Sequence, residues 1–172
     1  AVQVLDWFSG QVDPALQALG AALLPAPAAQ AAFRSLQSID EIGDLQQALA
    51  VLELPLGIAD DGQLCSGTAA EQALEGFRLL LIPTTSKPAA PGQQASSLPD
   101  GLLLRLEPTL REDLLPDGLS IQAQQGAVQQ SVAATASNRL DLRFSSAAGL
   151  ISVSLRYPGS AVLQIPPLQL PL

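Results

Sequence analysis

The chain has 172 residues, a net charge of −8, 48% hydrophobic residues and 14% charged residues. This hydrophobic content excludes a disordered chain, and the scarcity of lysine and arginine argues against a nucleic-acid partner, because phosphate binding depends on clustered cations. No apolar run approaches the roughly 18 residues that span a bilayer, so we predict no transmembrane segment. We expect one ordinary hydrophobic core, built mainly from aliphatic side chains.

The charge divides the chain into two parts of different character. Residues 1–75 carry ten acidic side chains and a single base, Arg34, whereas residues 76–172 carry six acids and seven bases. We predict an acidic helical segment over residues 1–48 that packs on a β-sandwich domain over residues 49–172. The Pro-rich stretch at 83–100 is predicted to be a loop of that domain, because it cannot bury enough surface to order itself.

Helix signals dominate the first fifty residues. Asp13 followed by Pro14 is typical of an N-cap and a first helical position. Three leucines at helical spacing then form one stripe: Leu16, Leu19 and Leu23. Ser38 and Glu41 have the spacing of a capping box, which predicts a second helix. The pattern over residues 39–54 fits either a helix or a strand, and both alternatives stay open.

Short strands are predicted after Pro55. Asp61 and Gly62 indicate a turn or hairpin within residues 56–76, and the continuous apolar run 77–82 indicates a buried strand. Residues 102–107 alternate between the two faces of a further strand, which ends at Pro108.

The clearest pattern lies in the second half of the chain, where apolar and polar residues alternate over 119–124, 140–144 and 151–157. Successive side chains of a strand point to opposite faces, so each run has one apolar face. A last strand is predicted over 161–165, and the prolines after it place the C-terminus at an edge or in a tail. The predicted fold class is therefore mainly β: an antiparallel β-sandwich, immunoglobulin-like or jelly-roll-like, with a short N-terminal α-helical segment.

Several of these stretches together resemble a known family. The similarity lies in the order of five segments: LLLIPTTS (79–86), LLLRLEPT (102–109), LPDGLSIQAQ (115–124), NRLDLRFS (138–145) and GLISVSLRY (149–157). This order resembles an uncharacterised cyanobacterial family catalogued as domain of unknown function 1822, and Trp7-Phe8 is similar to its aromatic N-terminal motif. The long Pro-rich loop departs from the family's pattern. The resemblance transfers no catalytic residue and implies an accessory role in a cyanobacterial signalling system.

Few side chains carry recognisable chemistry. The sequence has no histidine, which excludes a Ser-His-Asp triad, a Cys-His pair and most zinc sites. Cys65 lies in a Gly/Ser segment without neighbouring cations, so we interpret it as a packed residue. The densest carboxylates, Asp60-Asp61 and those within 40–44, lack the spacing of a calcium loop. We therefore predict no catalytic residue, no metal and no cofactor.

Two sets of residues are candidates for an interface. Trp7 and Phe8 would anchor a partner if they were exposed, because aromatic side chains concentrate binding energy; a place in the core is the alternative that we favour. Arg143 and Arg156 belong to a predicted polar sheet face, for which an ordinary solvated surface is the favoured alternative. Its other members are Gln122, Gln124, Gln129, Gln130, Ser152 and Ser154.

We predict a non-enzymatic protein-interaction or scaffold module with a protein partner, because catalytic side chains are missing from the sequence. The alternative function is a carrier that binds an apolar small molecule or lipid between the N-terminal helices and the sheet. The single cysteine cannot form an intrachain disulfide and favours a reducing compartment, so we expect the cytoplasm. The oligomeric state does not follow from the sequence.

Overall fold

The alternating runs of the second half of the chain contribute to two sheets that enclose one hydrophobic core, which confirms the predicted β-sandwich. The computed structural model describes residues 2–24, 50–84, 101–110, 112–145 and 149–170, without the side chains of Phe8 and Ser145. Most of the predicted Pro-rich loop and of the predicted second helix lies outside these residues.

Sheet I consists of five strands: β1 Val2–Gln3, β7 Ser120–Gln125, β8 Val128–Ala133, β10 Leu150–Arg156 and β11 Leu163–Gln169. Their order is β1-β11-β10-β7-β8, and all neighbours are antiparallel except β1 and β11. The last strand therefore continues beyond its predicted end, through Pro166 and Pro167. A register shift in β10, between Ile151 and Val153, lies opposite these prolines and accommodates two residues that lack an N–H.

Sheet II consists of six strands: β2 Ala22–Leu23, β3 Leu52–Ile58, β4 Leu64–Ser66, β5 Glu75–Thr84, β6 Gly101–Pro108 and β9 Leu140–Ser145. Their order is β2-β3-β5-β6-β9, with β4 paired to β3, and every pairing is antiparallel. The β3–β4 hairpin confirms the turn predicted at Asp61-Gly62, where the Gly62 N–H donates to the Ala59 carbonyl at 2.9 Å.

Two predicted boundaries change in the structure. The ambiguous end of the 39–54 segment is a strand from Leu52 onward, because this part pairs with β5. Pro83 and Thr84, predicted to begin the Pro-rich loop, end β5 instead and face Leu102 and Gly101 of β6.

The core lies between the sheets and is largely aliphatic. Alternate residues of each strand point into it, which gives the buried face that the sequence pattern predicts. Its central members are Leu54, Leu79, Leu104 and Leu142 from sheet II, and Ile121, Val153 and Ile165 from sheet I.

Residues 2–24 contribute a strand to each sheet, whereas residues 1–48 were predicted as a helical segment that packs on the β domain. β1 joins sheet I and β2 joins sheet II. Between them lie a 3₁₀ helix, Val4–Ser9, and the helix α1, Pro14–Ala18. The predicted cap is confirmed, since the Asp13 carboxylate accepts from the Ala15 N–H at 2.8 Å. A second short helix, α2 Thr68–Glu71, packs against β3.

A polar clamp joins the two sheets at one end. The Gln63 Nε2 donates to the Gly159 carbonyl at 3.0 Å, and its Oε1 accepts from the Ala161 N–H at 2.9 Å. The Leu64 N–H donates to the Ser160 Oγ at 2.8 Å. The β3–β4 turn is thereby tied to the turn between β10 and β11.

Candidate functional site

The outer face of sheet II, turned away from the core, contains a strip of buried apolar side chains. Leu80, Ile82 and Leu103 are buried, but they alternate with core residues and lie outside the core cluster. Leu103 lies opposite Ile82 in the ladder between β5 and β6. This part of the outer face is therefore buried, unlike an ordinary sheet face, which is exposed to solvent.

An ion-pair network borders this strip at one end. The Arg78 Nη1 lies 2.8 Å from a Glu53 carboxylate oxygen, and its Nε donates to Glu107 at 2.7 Å. Burial alone would lower the pKa of Arg78, but the charges and hydrogen bonds of Glu107 and Glu53 outweigh it and raise the pKa. This network joins three strands and keeps a cation in a half-buried position.

Arg105 lies within the apolar strip, opposite Leu80 on β5 and Asp141 on β9. Its side chain is 1% exposed, and its Nε and Nη2 donate to the two Asp141 oxygens at 2.8 and 3.0 Å. Asp141 is shared with Arg139, whose Nε lies 3.4 Å from the carboxylate. In the part of the chain that the structure describes, no acceptor lies within reach of the Arg105 Nη1.

A buried donor without an acceptor is rare, since leaving it unpaired costs about 1–3 kcal/mol and more for a charged group. The Arg105 Nη1 is therefore a buried N–H donor that lacks an acceptor among the described residues. Neither the alternating pattern nor the charge count identified Arg105 as a site residue. The available signal was a single cation within a run of four leucines: Leu102, Leu103, Leu104 and Leu106.

The predicted interface residues do not lie together. Trp7 is 2% exposed and belongs to the core, as the favoured alternative predicted, so its indole is no exposed anchor. Among the described residues its Nε1 has no hydrogen-bond acceptor. The backbone of Phe8 lies in the 3₁₀ helix. Arg143 and Arg156 are both exposed, but alternation places Arg143 on the outer face of sheet II and Arg156 on that of sheet I.

The predicted polar face exists on sheet I with six of its eight members. These are Gln122, Gln124, Gln129, Ser152, Ser154 and Arg156, and the ladders place their positions side by side. Gln130 belongs to the opposite face, and its Nε2 donates to the Arg143 carbonyl of sheet II at 2.6 Å. The face is thus uncharged except for Arg156 at the end of β10.

Strand β8, which forms one edge of sheet I, was not predicted as a strand. The sequence signal for it is weak, because Gln129, Gln130 and Ser131 form a polar run without alternation. The Ala134 N–H donates to the Leu119 carbonyl, so the register makes 121/132 and 123/130 the hydrogen-bonded pairs with β7. The backbone groups of Gln129, Ser131 and Ala133 therefore point away from β7.

The other chemical candidates do not form a site. Cys65 is half-buried, and its Sγ donates to the Gly57 carbonyl at 3.4 Å. Burial, followed by the charge of Asp61, raises the pKa of the thiol, which opposes a nucleophilic role. Over the described ranges, no group of three or more potential metal ligands comes together. Within the same ranges, no helix combines the length and apolar character needed to cross a membrane.

Comparison with protein-family models, curated proteins and solved structures found no match. The resemblance to the cyanobacterial family therefore stays a prediction.

Proposed function

We propose that this chain is a non-enzymatic protein-interaction module that accepts an extended strand of a partner protein on the free edge of β8. The observation that carries the proposal is the contrast between β8 and the other sheet edges. A strand edge presents unpaired N–H and C=O groups, and proteins that do not use an edge usually protect it with charge, proline or shortness.

Each of the other edges has such protection in the described part of the chain. β1 and β2 are two residues long, and β4, which pairs only with β3, is three residues long. The stretch of β11 beyond the reach of β1 contains Pro166 and Pro167. β9 carries Asp141 and Arg143 on its outer face. β8 is six residues long with neither charge nor proline.

The chemistry of β8 indicates what kind of strand it accepts. The residues whose backbone groups point outward, Gln129, Ser131 and Ala133, are all exposed. None of them offers a counter-charge, so we expect a partner strand with uncharged side chains at the paired positions. Main-chain hydrogen bonds supply the affinity in this kind of recognition.

The test uses peptides selected from a random phage-displayed library on the immobilised chain and then measured in solution by fluorescence polarisation. Ser131→Pro removes an N–H that points away from β7, so the variant keeps the sheet but blocks the edge. We expect peptide affinity to fall about tenfold or more. The matched control is Ser152→Lys on β10, which places a charge on the same outer face of sheet I but away from the edge. This variant should bind the peptides as the unaltered chain does.

Selection of no peptide, or peptides that bind the Ser131→Pro variant as well as the unaltered chain, would overturn the proposal. A chain that is dimeric alone and becomes monomeric with Ser131→Pro would identify a second copy as the occupant instead. Light scattering of the unaltered chain and of the Ser131→Pro variant measures the oligomeric state of each and so separates that outcome from binding of a different partner.

A further inference from the structure

We infer that the end of sheet II where β5 begins and β6 ends is a second docking surface, which binds a basic amphipathic segment of a partner protein. Three exposed leucines and four exposed carboxylates form this surface, the acidic leucine patch: Leu74, Leu110 and Leu114, with Glu71, Glu75, Glu112 and Asp113. The inference is independent of the edge of β8, because β8 belongs to sheet I.

The three leucines share one corner of the sheet because β5 and β6 are neighbours. The Thr109 N–H donates to the Gly76 carbonyl at 3.1 Å, which extends the pairing of the two strands beyond their last ladder pair. Leu74 lies two residues before Gly76 and Leu110 one residue after Thr109, so both leave the sheet at this corner. A turn follows, in which the N–H of the residue before Leu114 donates to the Leu110 carbonyl at 3.0 Å. This turn keeps Leu114 near Leu110.

The exposure of these leucines distinguishes the patch. Leu74, Leu110 and Leu114 are 74%, 66% and 58% exposed, the highest values among the large apolar side chains of the described ranges. A single exposed leucine needs no explanation, but neighbouring leucines leave a shared apolar surface in water, at about 25 cal/mol for each Å². A partner that covers this surface with aliphatic or aromatic side chains removes that cost.

The charge around the leucines indicates the rest of the partner. Residues 58–76 and 109–119 carry seven acidic side chains and one base, Arg111, which gives these stretches a net charge of −6 in a chain of −8. Within the described ranges, none of the four carboxylates of the patch belongs to an ion pair. Such a surface attracts lysine and arginine and repels anionic lipid. Two copies of the same patch would also repel each other, which argues against a second copy of this chain as the occupant.

The probe is a fluorescein-labelled helical peptide of leucine and lysine, with the leucines along one face. Two further peptides separate the apolar and charged contributions: glutamate replaces lysine in one, and serine replaces leucine in the other. We expect the leucine–lysine peptide to bind in fluorescence polarisation, and each of the others to bind about tenfold more weakly or worse. Raising the salt concentration should weaken the binding of the leucine–lysine peptide, since salt screens exposed charges.

Leu74→Ser tests the patch itself, because serine removes exposed apolar surface without disturbing the core. We expect the affinity for the leucine–lysine peptide to fall about fivefold or more. The matched control is Leu150→Ser, at an exposed leucine of sheet I, which should bind as the unaltered chain does. Glu75→Lys reverses a charge of the patch and should lower the affinity about tenfold, whereas the control Asp6→Lys, in the 3₁₀ helix, should not.

Failure of the leucine–lysine peptide to bind would overturn the inference, and so would equal binding of the serine–lysine peptide. Unchanged affinity for a folded Leu74→Ser variant, or an equal loss for Leu150→Ser, would overturn it as well. Light scattering addresses the remaining occupant: a chain that is dimeric alone and monomeric with Leu74→Ser would assign the leucines to a second copy, against the inference.

Discussion

Arg105 on β6 and Asp141 on β9 form a two-point ion pair across neighbouring strands, with N–O distances of 2.8 and 3.0 Å. The two side chains differ in exposure, since Arg105 is 1% exposed and Asp141 is 28% exposed. Removing the carboxylate leaves a buried cation without compensation, whereas removing the guanidinium leaves an anion that water and Arg139 still reach. The two substitutions therefore have unequal costs.

We expect Asp141→Asn to lower the free energy of unfolding by about 3 kcal/mol, the lower end of the range for breaking a buried pair, because Asp141 is partly exposed. Arg105→Met should cost less than about 1 kcal/mol, since an apolar side chain of similar volume replaces the charge. Urea denaturation monitored by circular dichroism measures both. Asp113→Asn, at an exposed position, is the control and should change stability by no more than about 0.5 kcal/mol. Equal losses of unfolding free energy for Asp141→Asn and Arg105→Met would contradict the unequal burial of the two side chains as the cause.

Leu142→Asp should unfold the chain. Leu142 is 5% exposed and points into the core from the edge strand of sheet II. The substitution places an unpaired carboxylate among aliphatic side chains, which we expect to cost more than about 4 kcal/mol. The control is Leu114→Asp, because Leu114 is 58% exposed. Thermal melting followed by circular dichroism distinguishes them, and an unchanged midpoint for Leu142→Asp would disprove the register of β9.

Gly118→Ala should destabilise the chain more than Gly62→Ala does. Both glycines have positive φ, +90° and +81°, where a side chain costs about 1 kcal/mol. A Cβ on Gly118 would also lie 3.0 Å from the Pro158 Cγ, whereas nothing lies within 4 Å at Gly62. We expect about 1 kcal/mol of additional loss at Gly118, measured by urea denaturation. The same loss at both positions would show that Pro158 moves aside without cost.

Cys65 should react with iodoacetamide more slowly in the folded chain than in the chain unfolded in urea. Burial and Asp61 raise the pKa of its thiol, so a smaller fraction is thiolate at any given pH near 8. The curve of alkylation rate against pH should therefore shift to higher pH in the folded state. Mass spectrometry of the alkylated chain measures the rate, and Cys65→Ser provides the blank. A folded-state curve that coincides with the unfolded one would contradict the assigned environment.

Local patterns predicted much of the sandwich because strand periodicity depends only on neighbouring residues. The run 140–144 is β9, the run 151–157 gives β10, and the run 119–124 gives β7. The pairing of β1 with β11 was not predictable in the same way. A strand of two residues is too short to show an alternating pattern, and its partner lies at the other end of the described chain.

The candidate site depends on pairings between distant residues. Alternation places Arg105 on the face opposite to Leu104, which predicts a solvated position. Only the register between β6 and β9 brings in Asp141, 36 residues away. The burial of Leu80 and Leu103 beside it is likewise a tertiary property. Composition could exclude histidine chemistry, but it could not locate a buried cation with an unpaired N–H donor.

The clamp at Gln63 has a consequence for the rate of folding. Its hydrogen bonds join residues that are 96 to 98 positions apart, so they form only after a long stretch of chain has closed. Contacts of such high sequence separation slow the search for the native state. We therefore expect the β3–β4 and β10–β11 hairpins to form first, and their joining to be a late event on the route from the newly made polypeptide to the finished protein.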